Sequence, residues 1–233
     1  MKRIGLLGCG SIGSQIAIAI DTGKIPAQLT HIFDEDRKKS ETLLSKLQKK
    51  PEIVENVHLL SSNSLDLVVE AASQQAVNDN ALSILQNRKD LLIMSGGALL
   101  DESVFEIISD ACNELKKTVY LPSGAISGID ALKSVKDELD SVVLTTTKHP
   151  DSLRGAPFFE HFKINLDDIK ESSTIFEGTA SEAVRLFPKN VNVSALLSLA
   201  GLGSHETIVK LNVDPNTTKN THVIIATGKF GRL

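Results

Sequence analysis

The stretch Arg3-Ile4-Gly5-Leu6-Leu7-Gly8-Cys9-Gly10-Ser11-Ile12-Gly13-Ser14-Gln15-Ile16 decides the fold. Its first half is a short apolar run of strand length, and from Ile12 to Ile20 the apolar residues recur at helical spacing. Between them stands G-x-G-x-x-G, formed by Gly8, Gly10 and Gly13, with Cys9, Ser11 and Ile12 between. A strand, a glycine turn and a helix in this order suit a pyrophosphate. The first glycine permits the tight turn, the second lets backbone approach the phosphates, and the third lets the helix pack closely on the strand. The helix N-terminus adds free N–H groups and the positive end of a dipole. Asp34 follows at the end of a second apolar run, Leu29 to Phe33, where a carboxylate can accept hydrogen bonds from the adenosine ribose. Its charge disfavours a 2′-phosphate, so NAD is expected, and Arg37 three residues on keeps NADP open. Asp34 also has a second reading, as the N-cap of the next helix.

Outward from this unit the rhythm repeats. The pattern predicts a helix over Arg37 to Lys50, a third strand over Leu65 to Val69, a helix over Val77 to Leu85, a strand over Leu91 to Met94, a helix over Val104 to Leu115 and a fifth strand over Thr118 to Leu121. Five strands separated by helices imply a Rossmann-type, doubly wound parallel sheet of the α/β class. Ligands of such sheets lie at the carboxyl ends of the strands. Glu70-Ala71-Ala72-Ser73-Gln74-Gln75 and Ser95-Gly96-Gly97 fall there, which adds Ala71, Ala72, Ser73, Gln75, Ser95 and Gly96 to the candidate cofactor residues. After Pro122 the pattern changes. A small-residue turn, 123–128, opens a helix from Ile129 to Lys136, and a β-branched run follows over Ser141 to Lys148. The segment 149–168 reads as a long loop, and then come a strand at Ser173 to Glu177, helices at Ala180 to Phe187 and Val191 to Leu199, and strands near Ile208 to Val213 and His222 to Thr227. These strands lack regular helical crossovers and predict an antiparallel sheet in a smaller α+β domain, with domains at 1–122 and 123–233.

Composition excludes several classes. The 233 residues carry 41% apolar and 23% charged side chains, which fits a folded globular protein and opposes disorder. A net charge of −4, no block of like charges and only 4% aromatics argue against nucleic acid and anionic membrane as partners. The two cysteines, Cys9 and Cys112, signal neither a zinc site nor a disulfide framework, and no metal is expected. Cys9 reads as a small residue beside a phosphate site, with a reactive thiol as the sharper alternative. The N-terminus lacks a signal-peptide core and no run of 18 apolar residues occurs, so a cytoplasmic location is expected. Of the six histidines, His31, His58, His149 and His161 read as structural or exposed, while His205 and His222 flank the late strands and stay open as proton-transfer groups.

Four blocks, taken in order, resemble archaeal-type L-aspartate dehydrogenases: Glu70-Ala71-Ala72-Ser73-Gln74-Gln75-Ala76-Val77, Ser123-Gly124-Ala125-Ile126-Ser127-Gly128-Ile129-Asp130-Ala131, Ile175-Phe176-Glu177-Gly178-Thr179-Ala180-Ser181-Glu182-Ala183 and Phe187-Pro188-Lys189-Asn190-Val191-Asn192-Val193. The resemblance spans nearly the whole chain, and the wider relatives are homoserine dehydrogenase-like folds. It implies a nicotinamide cofactor on the N-terminal domain and interconversion of L-aspartate with iminosuccinate, or with oxaloacetate and ammonium. Carried over by position, it implies that His222, in Asn220-Thr221-His222-Val223-Ile224, is the acid/base, that Ala125 contacts the cofactor, and that Asn192 does so too, with Asn190 as second choice. His205 has no counterpart and is left structural. The two substrate carboxylates need donors. The N–H groups of the 124–128 turn, with Gly124 and Ser127, are the first choice, and Asn190 with Lys148 or Lys189 supplies further contacts. Family members usually continue past the last strand into N-P-K-T-S and a final helix, whereas this chain stops at Gly228-Lys229-Phe230-Gly231-Arg232-Leu233, so the closing helix is expected to be missing. The product can feed pyridine-nucleotide biosynthesis, and the β-branched strands suggest a homodimer. Two alternatives are another homoserine-dehydrogenase-like oxidoreductase and a dinucleotide-binding sensor without turnover.

Overall fold

Ile4, Gly5, Leu6 and Leu7 are all buried, with no alternation, so the strand they form is covered on both faces. This strand, β1 (Lys2–Leu7), pairs in parallel with β2 (Ala27–Phe33) on one side and β4 (Leu67–Glu70) on the other. The computed structural model describes residues 1–61, 65–188 and 192–233, and the chain divides into two compact units, Met1–Pro122 and Ser123–Leu233. The first unit is completed by β3 (Glu52–Ile53), β5 (Asp90–Ile93) and β6 (Val119–Tyr120), in the order β3-β2-β1-β4-β5-β6, every neighbouring pair parallel. The edge strand β3 was not expected from the sequence, because two residues paired to His31 and Ile32 have no period to read. Chain direction across the sheet reverses between β1 and β4, which opens a crevice at their carboxyl ends.

Helices α1 (Ser11–Asp21), α2 (Arg37–Lys46), α3 (Gln74–Gln86) and α4 (Glu102–Leu115) link the strands. Leu6, Ile20, Ile32, Leu43 and Val69 form one apolar cluster between the sheet and its helices, each such side chain contributing about 1.5–3 kcal/mol. Side-chain caps start three of the helices: Asp36 accepts from Lys38 N, Ser73 from Ala76 N, and Asp101 from Ser103 N and Val104 N. Helix α2 stops at Lys46 rather than Lys50. Leu47 turns extended into the core, and the next two N–H groups, of Gln48 and Lys49, donate to Asp21 at 2.8 Å each.

In the second unit, α5 (Ile129–Ser134), β7 (Leu139–Lys148), α6 (Phe158–His161), β8 (Ser173–Thr179), α7 (Ala180–Leu186), α8 (Asn192–Ala200), β9 (Thr207–Val213), β10 (Thr221–Gly228) and β11 (Gly231–Arg232) follow. The strand order is β11-β10-β7-β9-β8. This sheet is mixed rather than antiparallel: β7 and β9 run parallel, because the chain returns to β7 only after the long excursion through β8, α7 and α8. Strand β7 alternates strictly, with Val142, Leu144, Thr146 and Lys148 on its buried face. The segment 149–168, expected as a loop, contains two short helical turns and α6, anchored by buried Leu153, Phe158 and Leu166. Phe158 stacks on Phe162 and Phe187 at centroid distances of 4.6 and 4.9 Å. Among the described residues, no helix is long and apolar enough to cross a membrane.

The first turn of α1 meets the end of β1 with no room between. A Cβ on Gly13 would lie 2.0 Å from the Gly8 carbonyl oxygen, a backbone atom with nowhere to go. Gly13→Ala is therefore expected to destabilise the first unit by about 3 kcal/mol or more. Urea unfolding followed by circular dichroism tests this, and an unchanged midpoint would refute it.

Candidate functional site

The glycine loop is held from both sides. Gly8 N donates to the Phe33 carbonyl of β2 at 2.8 Å, and Ala71 N donates to the Leu7 carbonyl at 2.7 Å. Gly8 itself has φ +100°, and a Cβ there would stand 2.6 Å from the Ala71 carbonyl oxygen, so both conformation and space demand glycine. Gly10 is different. A Cβ at this position would meet nothing within 4 Å, and that open space faces the start of α1. Gly10 is the N-cap of α1, with no side-chain cap and no acidic residue in the first turn. The N–H groups there are left for an anion.

Asp34 sits where β2 ends. Its Oδ2 accepts from Cys9 N at 2.8 Å and its Oδ1 from Asp36 N at 2.9 Å, while Lys39 Nζ lies 3.7 Å away. The helix cap is Asp36, so the capping alternative for Asp34 is overturned: the first helical N–H groups lie two residues further on. Asp34 instead fixes the glycine loop, and its oxygens keep lone pairs for ribose hydroxyls. Arg37 is engaged with Glu41 at 3.1 Å, and the cation beside Asp34 is Lys39, which the sequence reading did not single out. The Cys9 thiol is buried, 3.7 Å from the Phe33 carbonyl and 3.5 Å from the Ser40 hydroxyl. Burial pushes it above the usual thiol range, which removes the reactive-thiol alternative.

These groups surround a cleft of about 400 Å³ lined by Gly8, Gly10, Asp34, Ala71, Ala72 and Ser73, among others. A glycine turn that leaves open space, an uncapped helix N-terminus and a carboxylate at the end of β2 fit the pyrophosphate and ribose of a dinucleotide. Other expected residues lie apart from its walls. Ile12 is 51% exposed, Gly13 is packed under the loop, and Gln75 is bonded to Asp79 at 2.7 Å. Gly96 is buried in a helical turn, and Ser95 is bonded through both its N–H and its hydroxyl to Glu70. Ser11 lines a neighbouring depression with Lys38, Lys39 and Lys46.

In the second unit His222 lies on β10 directly opposite Thr146 of β7. The Thr146 hydroxyl and His222 Nδ1 are 3.0 Å apart, which orients the ring and leaves Nε2 for exchange with a ligand. Two residues along β7, on the same face, Lys148 is buried without a paired carboxylate among the described residues. Burial lowers the Lys148 ammonium below its usual range. The His222 imidazole is lowered too, first by burial and then by the charge on Lys148. It is therefore neutral at pH 7. Gly124 (φ +60°), Ala125 and Ser127 lie in the exposed turn before α5, and Asn192 is exposed at the first position of α8. Lys189 and Asn190 fall outside the described residues. Among the described residues no cluster of potential metal ligands occurs.

A parallel dinucleotide-type unit and a mixed-sheet α+β unit in one chain fit an NAD-dependent dehydrogenase, and comparison with known proteins assigns the chain to that class. Residues 8–122 match the family described as homoserine dehydrogenase, NAD binding domain, and residues 130–233 match aspartate dehydrogenase, C-terminal. L-aspartate dehydrogenase from Nitrosopumilus maritimus is 65% identical over the whole chain, which covers 86% of the relative's length. The enzyme of the same name from Methanocella arvoryzae is 43% identical, again over 100% of this chain and 86% of the relative. The crystal structure of aspartate dehydrogenase from Thermotoga maritima superposes with a TM-score of 0.77 at 28% identity, covering 100% of this chain and 87% of that one. The chain belongs to the L-aspartate dehydrogenase family.

The proximity of Lys148 gives a direct test of the His222 environment. Lys148→Gln removes the ammonium and is expected to raise the His222 titration midpoint toward the ordinary imidazole value. NMR titration of the histidine ring protons checks this. A midpoint that stays or falls would refute the electrostatic account.

Proposed function

We propose that this protein is an L-aspartate dehydrogenase that oxidises L-aspartate to iminosuccinate, in balance with oxaloacetate and ammonium, using NAD and accepting NADP. The observation that carries the reading is a neutral imidazole, His222, beside a buried ammonium, Lys148, that has no paired carboxylate among the described residues, on neighbouring strands of a chain from this family. A dicarboxylate that must lose a hydride and exchange protons needs both groups.

The cofactor, when bound, accepts the hydride leaving the aspartate Cα. This chain's residues do the rest. Gly8, Gly10 and Ser11 offer backbone to the pyrophosphate at the α1 N-terminus, with Ile12 and Gly13 in the first turn behind them, Asp34 receives the ribose hydroxyls, and Ala71, Ala72 and Ser73 form the further wall, with Gln75, Ser95 and Gly96 outside it. The family resemblance assigns cofactor contacts to Ala125 and Asn192 as well. Lys39 beside Asp34 supplies the charge that lets a 2′-phosphate be tolerated. Lys148 pairs with a substrate carboxylate, and Gly124, Ser127, Lys189 and Asn190 complete the carboxylate contacts. His222 takes a proton at Nε2 from the water that adds to the imine carbon and returns it in the reverse direction. Free thiols at Cys9 and Cys112 support a cytoplasmic location, and the product supports a place ahead of pyridine-nucleotide biosynthesis. The chain forms a homodimer in this reading. The β-branched residues along β7 and β10 support that assembly.

NADH and NADPH oxidation with oxaloacetate, with and without ammonium, tests the activity. Ammonium-dependent oxidation of NADH is expected, and none with any ammonium concentration would sink the proposal. His222→Ala should keep NADH binding and lose about 10²-fold or more in turnover. Unchanged turnover would remove its role. Gly10→Ala has room in the protein itself but places a methyl where the pyrophosphate lies, so its stability should stay within about 0.5 kcal/mol of the parent while NADH affinity falls about tenfold. Calorimetric titration and thermal melting separate the two effects, and an undiminished affinity would contradict the placement.

A further inference from the structure

Glu70 closes β4, next to the crevice where the sheet order reverses, and it is only 1% exposed. Nothing in the chemistry above uses it. A buried carboxylate at the end of an apolar strand costs several kcal/mol in desolvation unless it is met by donors. Here donors converge on it from two loops. Ala72 N donates to Oε1 at 2.8 Å, the Ser95 hydroxyl to Oε1 at 2.9 Å and Ser95 N to Oε2 at 3.0 Å, and Ser73 N donates as well. One side chain thereby joins the segment after β4 to the segment after β5. The first of these segments also abuts the glycine loop: the atoms a Cβ on Gly8 would strike are those of Ala71 and Ala72. A displacement of Ala72 is a displacement of the surface against which Gly8 rests.

We propose that Glu70 is a positioning residue for cofactor binding, tying Ala72, in the wall of the dinucleotide cleft, to Ser95 in the segment after β5 and so holding that wall in register with the glycine loop. The inference rests on reading this cleft as the cofactor site. The ionised carboxylate suits the task because both of its oxygens accept, whereas an amide or a protonated acid turns a donor toward one of the loop N–H groups. Burial raises Glu70 above the usual carboxylate range, and the bonds from the loops oppose that rise.

The test compares Glu70→Gln and Ser95→Ala with the unaltered protein in NADH binding by fluorescence titration, in turnover at saturating NADH and in thermal melting. For Glu70→Gln the NADH dissociation constant should rise about tenfold, because a wall misplaced by a fraction of an ångström loses binding, while turnover at saturating NADH changes by less than about twofold. Ser95→Ala removes one donor and leaves the carboxylate in place, so its dissociation constant should rise about threefold. It decides the matter if Glu70→Gln does not fold. A lowered melting temperature with an unchanged dissociation constant in both variants would make Glu70 a purely structural group and overturn the inference, as would a loss confined to turnover. Absence of NADH binding by the unaltered protein would remove the cofactor-site reading itself.

Discussion

The contact of α1 with the end of β1, closer than any side chain allows at Gly13, governs the first unit. Packing at that distance aims the helix axis along the strand and brings its uncapped N-terminus to the crevice. The loop between them, Gly8 to Gly10, has to turn within three residues, and it can do so because β1 has a parallel neighbour on each side. Gly8 N is bonded toward β2, and Leu7 accepts from the segment after β4. Asp34 then grips Cys9 N from the end of β2. A turn rich in glycine is flexible in isolation, and here the sheet removes that freedom before any ligand arrives, which lowers the ordering cost of binding.

The second unit works by environment more than by residue identity. An imidazole on an exposed strand would titrate near its ordinary value and be a mixture of forms at neutral pH. Placing His222 on the helix-covered face, opposite Thr146 and one step from Lys148, keeps it neutral and turns a chosen nitrogen outward. The lysine carries a related cost, since burial disfavours its charge. A carboxylate brought beside it relieves that cost.

Local pattern made much of this readable. The glycine spacing, the acid at the end of β2 and the alternation of strand and helix each lie within a short window, and the structure carries a doubly wound parallel sheet as they imply. Features that depend on pairing across long separations were not readable. The edge strand β3 is two residues long, and the parallel pairing of β7 with β9 follows from a path of some sixty residues. Thr146 meets His222 across 76 positions. Asp34 and Asp36 both sit at a strand-to-helix junction, and only the geometry assigns the cap to the second. Glu70 had a faint signal: a charged residue directly after Leu67-Val68-Val69, in a strand short enough that its end is still covered.

Cys9 shows what this tight loop implies for chemistry from outside. Its sulfur is buried behind the glycine turn, held in the thiol form and packed near Phe33 and Ser40, so an alkylating reagent reacts with it slowly while α1 rests on β1. Modification speeds up when the loop lifts away. The rate at which this thiol is consumed is then a clock for the opening of the nucleotide crevice, and any molecule that holds the loop down slows that clock.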